Sequence, residues 1–137
     1  MNNNLTLSKK KMKKTTFIIL ITFLFPFYSF SDSIPNLIGV WEGENKTYSD
    51  MKGMKTWEKK IEINKQKDRR FQGSFTYTDG TKNFFGVIHP DNTTITWVSS
   101  NSRGYNMGRI LSDNTISACY VESGIDATVG CAVLERK

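Results

Sequence analysis

The sequence predicts an all-β chain: eight antiparallel strands in up-and-down order, closed into a barrel, behind a cleaved N-terminal leader. Three observations carry this. From Leu37 onward apolar and polar residues alternate with a period of two, and no segment keeps the 3.6-residue rhythm of a helix over a useful length. Clusters of Asp, Asn, Gly, Ser and Pro punctuate the alternation at short intervals. Residues 1–31 have a composition of their own, unlike anything that follows.

That first segment has three parts. Lys9, Lys10, Lys11, Lys13 and Lys14 form a basic cluster. An apolar run from Thr15 to Phe25 follows, ended by Pro26. Ser29 and Ser31 then place small residues at the −3 and −1 positions of a cleavage site before Asp32. This is the layout of a secretory signal peptide, so the mature chain is expected outside the cytoplasm, periplasmic or secreted. A retained anchor is the alternative, but it needs about 20 apolar residues and the run is shorter. Lipid attachment at the leader needs a cysteine there, and the cysteines are Cys119 and Cys131.

Removing the leader changes the electrostatics. The chain carries 19 Lys+Arg against 13 Asp+Glu. Five of those lysines belong to the leader, which leaves 14 bases against 13 acids, a net charge of about +1. Nucleic-acid binding is therefore not indicated. A local basic excess remains between Lys52 and Arg70. It reads as a solvated strand face and its turn, or as a patch for an anionic partner.

The remaining 106 residues, 32–137, make one small domain. Strands are expected over 37–44, 56–63, 71–78, 81–88, 94–98, 105–111, 115–121 and 126–135. In the second, Trp57, Ile61 and Ile63 oppose Glu58, Lys60 and Glu62. In the third, Phe71, Phe75 and Tyr77 oppose Gln72, Ser74 and Thr76. Asp79-Gly80 signals a tight hairpin, because its turn needs positive φ. Pro90-Asp91-Asn92, Ser100 to Gly104, Asp113-Asn114 and Ser123-Gly124 mark the later turns. Such a meander hides its edges completely only by closing, and eight strands give an interior that side chains fill or that holds one small ligand. An open or sandwiched sheet is the alternative.

Two cysteines in an exported chain most simply pair with each other. Cys119 and Cys131 are symmetric about Ile125, in the last turn, so they can lie opposite one another on the final hairpin unless a bulge shifts the register. Metal ligation needs further His or Cys, and the single histidine is His89. No metal or other cofactor is expected.

Gly39-Val40-Trp41, on the first strand, resembles the G-x-W signature of the calycins, the lipocalins and avidins among them. The resemblance implies that Trp41 plugs one end of the barrel, that Gly39 accompanies it, and that a basic side chain of the last strand, Arg136, packs across the ring. Phe71-Gln72-Gly73-Ser74-Phe75 and Phe85-Gly86-Val87-Ile88 are similar to segments of small exported bacterial calycin-like proteins of unassigned activity. The chain is shorter than lipocalins, lacks their C-terminal helix, and lacks the polar and tryptophan run with which avidins hold biotin. The resemblance therefore implies a fold and no specific ligand. A second resemblance is to small periplasmic inhibitors of bacterial metalloproteases, whose N-terminal arm enters the protease. Here that arm would be Asp32 to Asn36, which otherwise reads as a frayed terminus.

Catalytic signatures are missing. There is no G-x-S-x-G elbow, no phosphate loop and no carboxylate pairing of the glycosidase kind. A non-enzymatic binding role is the expectation. Trp41, Trp57, Phe75, Tyr77, Phe85, Trp97 and Tyr105 share odd numbering. If that set faces inward, it is either a packed core or the lining of a pocket for an apolar or aromatic molecule. Arg109 has the same parity. Facing inward, it would need a partner and could orient an anionic ligand group; facing outward, it serves solubility. The expected ligand-binding set is thus Trp57, Phe75, Phe85, Trp97, Tyr105 and Arg109. The chain is expected to be a monomer that is not held in a membrane after cleavage. The alternative is a protease inhibitor or envelope protein-interaction module that acts through the arm and rim loops.

Overall fold

A computed structural model describes residues 33–77 and 80–137. The leader expected over residues 1–31 lies outside the described residues. The rest is a closed antiparallel barrel in chain order. Its strands are β1 (Gly39–Ser49), β2 (Gly53–Lys67), β3 (Arg70–Tyr77), β4 (Gly80–Ile88), β5 (Thr94–Ser99), β6 (Tyr105–Ser112), β7 (Thr115–Glu122) and β8 (Thr128–Arg136). β8 returns to β1, with Arg136 opposite Trp41 and Val129 opposite Tyr48, so no sheet edge is left open.

β1 and β2 are longer than expected. The polar stretch Asn45 to Ser49 reads weakly as a strand, yet it pairs in full with Gly53 to Trp57. Pairing overrides propensity because the turn between them is well satisfied. Lys52 N donates to Ser49 Oγ at 3.0 Å, and Met51 N donates to Asp126 Oδ1 at 3.2 Å. Asp126 is thereby taken from the eighth strand, which starts instead at Thr128. Gly80 opens β4 opposite Tyr77, with φ 139°, in a region that favours glycine.

The two ends of the barrel differ. One end is solid and apolar: Leu37, Trp41, Ile63, Ile88, Ile95, Ile116 and Leu134 are all buried there. Phe71, Phe84 and Trp97 form an aromatic cluster beside them, with ring centroids 6.2–6.5 Å apart. Glycines on neighbouring strands make room for these rings. A Cβ at Gly86 would stand 2.2 Å from Phe71 Cζ. The segment before β1 is fastened across this end. Leu37 N donates to Gln66 Oε1, and Gln66 Nε2 donates to Pro35 O, both at 2.8 Å. Pro35 and Asn36 are therefore not a free arm; Ser33 and Ile34 remain exposed.

Cys119 and Cys131 are directly opposite on β7 and β8 and form a disulfide, with Cα atoms 4.0 Å apart. The bond lies on the outer face. Their neighbours Ala118 and Ala132 are the ones that point into the core.

A cup at the polar end of the barrel

Residues directly opposite on antiparallel strands share a face, and this decides which side chains reach the interior. From β1 to β3 opposing residues have matching parity (Trp41 with Ile61, Ile61 with Phe75), so the inward set stays odd. The β3–β4 seam pairs Gly73 with Phe84, and the set becomes even. It returns to odd at Ile88–Ile95, and turns even again at Trp97–Asn106. A single parity for all strands is therefore wrong.

This separates the expected ligand-binding residues. Trp57, Phe75 and Trp97 line a common cavity. Phe85 and Tyr105 point outward, 54% and 43% exposed, and Arg109 is exposed between Thr94 and Ser117. The inward orientation considered for Arg109 does not occur. Phe85 and Tyr105 instead belong to an outer row of exposed, directly opposed residues: Phe85, Val98, Tyr105, Val121, Val129 and Tyr48. Such cross-strand pairs stabilise a sheet from outside. A second depression of about 630 Å³ lies beside Phe85 and Val87, with Lys65, Lys67 and Arg70.

The main cavity occupies the end opposite the apolar plug and measures about 750 Å³. Trp97 is its floor, since the same ring packs on Phe71 and Phe84 below. Trp57, Ile61 and Phe75 supply apolar wall. The polar lining comes from residues that the expected set omitted. Lys59, Asn45 and Asn106 are 7%, 2% and 4% exposed, and all three line the cavity. Lys59 Nζ donates to Asn106 Oδ1 at 3.3 Å and lies 6.0 Å from the centroid of the Trp97 ring. Among the described residues no carboxylate pairs with it. Burial alone lowers its pKa to about 8, because a desolvated ammonium is disfavoured. Among the described residues the Asn45 side-chain oxygen has no hydrogen-bond partner.

Higher in the wall, Tyr120 donates its phenol proton to Glu122 and shares a 3.1 Å hydrogen bond with Ser102. Burial first, and then the bond to Glu122, push the phenol up to about 12, so it stays protonated. Gly104 admits the ring: a Cβ there would stand 2.5 Å from the Tyr120 hydroxyl. At the rim, Asp126 pairs with Lys52 at 3.7 Å, and the Met51 N–H helps hold its carboxyl below the usual range. His89 lies at the other end of the barrel, on the β4–β5 connection, bonded to Thr96 Oγ1 at 2.8 Å.

Lys59 was legible in principle. It has the spacing of Trp57, Ile61 and Ile63, and strict alternation places it with them. Its charge hides it among Glu58, Lys60 and Glu62. Asn106 and Tyr120 become legible only when the β5–β6 and β6–β7 registers are known.

Fold and cavity together define a closed eight-stranded antiparallel barrel, plugged at one end and cupped at the other. No family model matches the chain, and no curated protein matches it. Solved structures do. A protein of unknown function from the DUF3598 family of Nostoc punctiforme aligns over 74% of this chain and 47% of its own, with 12% identity and a TM-score of 0.57. The chain thus spans about half the length of that protein, and the likeness is one of fold. A redesigned β-barrel, mFAP0, solved bound to DFHBI, aligns over 73% of this chain and 98% of its own at 16% identity, with a TM-score of 0.45. Another redesigned barrel aligns over 74% of this chain and 91% of its own at 14% identity, with a TM-score of 0.46.

Proposed function

We propose that the protein is an exported, monomeric binding protein that holds a small molecule with an apolar or aromatic body in its cup and does not transform it. One observation carries this reading. A cavity of about 750 Å³ is walled by Trp57, Phe75 and Trp97 and carries a few convergent polar groups deep inside. That is the usual make-up of a small-ligand site: mostly apolar lining with a few placed polar groups. The Cys119–Cys131 disulfide supports an oxidising compartment. The alternative, a protease inhibitor or envelope interaction module acting through the arm and rim loops, has less support at the arm, where Pro35 and Asn36 are fastened to Gln66 and Arg136.

Native mass spectrometry of the mature protein from its own exported fraction tests the reading, together with titration of the neutral dye Nile red. A discrete small-molecule adduct, or saturable dye binding that Trp57→Ala weakens, is the expected result. An unliganded protein that also ignores the dye overturns it.

A further inference from the structure

The inside of the cup is electrically incomplete. Lys59 projects from β2 into the cavity, almost wholly out of water, with a neutral amide oxygen as its hydrogen-bond partner. A buried charge is normally paired, and here the chain supplies no described counter-ion. The rest of the lining does not compensate. Its carboxylates are Glu58 and Asp126; neither pairs with Lys59, and Asp126 is already engaged by Lys52. Asn45, buried on the adjacent strand, adds to the same cavity an amide oxygen that has no partner among the described residues.

We propose that the ligand is an apolar or aromatic carboxylate whose anionic head pairs with Lys59, beside Asn45 and Asn106. This rests on the small-molecule reading above and specifies its ligand class. One Lys59 N–H serves Asn106, and the others are left for the carboxylate. A half-turn of the Asn45 amide, which leaves the Lys59–Asn106 bond in place, offers its Nδ2 hydrogens to the second ligand oxygen. The apolar body then lies against Trp57, Phe75 and Trp97. The charge-assisted contact supplies selectivity for an anion over a neutral molecule of the same shape. With its pKa at about 8, Lys59 is still mostly protonated at neutral pH.

The test compares 2-naphthoate with 2-naphthamide, which share a ring system and differ in charge. Both are titrated calorimetrically into the mature protein. Naphthoate is expected to bind at least about tenfold tighter at pH 7. Lys59→Met should abolish that preference, read as the ratio of the two affinities within the variant. On the unaltered protein, the naphthoate advantage should fall between about pH 7 and pH 10 as Lys59 gives up its proton, since the ligand stays ionised throughout. Lys52, Lys55, Glu58, Lys82, Tyr120 and Asp126 also face the cavity; loss of the pH dependence in Lys59→Met assigns it to Lys59. Should that variant fail to fold, the pH profile of the naphthoate-to-naphthamide ratio decides alone. Equal affinities with a flat profile overturn the carboxylate assignment and leave the small-molecule reading intact. Failure of both compounds also overturns the assignment, and the broader reading falls with it only if Nile red fails to bind and no adduct is found.

Discussion

The guanidinium of Arg136 lies 4.3 Å above the ring of Trp41. These residues are opposite one another on the last and first strands. Trp41 Nε1 donates to Leu37 O at 2.9 Å, and Arg136 donates to Asn36 O at 2.6 Å, to Asp113 O at 3.0 Å and to Ile38 O. The pair therefore closes the barrel seam, ties down the segment before β1 and seals the end opposite the cup. Gly39 allows it: its φ is 145°, and a Cβ there would stand 3.2 Å from Arg136 Nη1.

Arg136→Ala removes the cation–π contact and three carbonyl hydrogen bonds. A loss of about 2 kcal/mol is expected, read as a lower urea midpoint with an unchanged slope. Arg136→Lys should recover less than half of it, because an ammonium lacks the planar fork that reaches three carbonyls. Full recovery by lysine would reduce the role of Arg136 to its charge.

Lys59 makes the unliganded protein pH-sensitive. Burial lowers its pKa from 10.5 to about 8 in the folded state. Between those values the unfolded chain holds a proton that the folded chain has released, so stability rises with pH through that window. Below it the destabilisation is full. Lys59→Met should therefore be more stable than the parent at neutral pH by roughly 2 kcal/mol, after allowing for the lost Asn106 contact. The advantage should shrink as pH climbs from about 8 toward 10.5. Urea melts of both proteins at pH 7, 9 and 10.5 measure it, and a gap that widens with pH refutes the sign.

The disulfide spans a sequence separation of 12 and lies on the outer wall. Its loss should cost roughly 2–3 kcal/mol by loop-closure entropy. The Cys119→Ala, Cys131→Ala double variant should melt earlier and still bind any cup ligand with unchanged affinity, since Ala118 and Ala132 are the inward residues there. A change in affinity beyond about threefold would show that the hairpin shapes the cavity.

Gly73→Ala should be among the most damaging single-methyl additions. The new Cβ would meet Glu62 O at 2.0 Å and Phe84 Cζ at 2.6 Å, backbone on one side and a packed ring on the other. Overpacking of this kind costs about 1–3 kcal/mol. Gly53→Ala, where nothing lies within 4 Å and φ is 65°, tests backbone strain alone and should cost less. Thermal melts of the two variants rank them.

Strand count and chain order were legible because alternation is a local signal, and the same signal located Trp57 and Phe75. The cysteine pairing was legible because both residues flank one turn. Orientation was a different matter, since it accumulates through the seams. Tyr105 and Arg109 carry the same parity as Trp97, yet they lie beyond the Trp97–Asn106 pairing that reverses it. The tail of β1 was hidden for another reason: Asn45, Thr47 and Ser49 are polar residues facing inward, because their half of the barrel is a cavity and not a core. Lys59 is hidden on the same ground. A lysine on the apolar face of a strand is a poor core residue and a natural one for a cup.

The seam between β1 and β8 has a topological consequence. Every strand is a sheet neighbour of the strands before and after it in the chain, and the first also neighbours the last. The fold is thus a ring with one cut, and the cut falls where Arg136 fastens the two ends together. Nothing in the order of strands requires it there. Joining residue 137 through a linker to the segment before Leu37, and reopening the chain between β5 and β6, would move both ends to the mouth of the cup while keeping every strand pairing and the plug. A reporter carried on those ends would sit at the opening of the cavity.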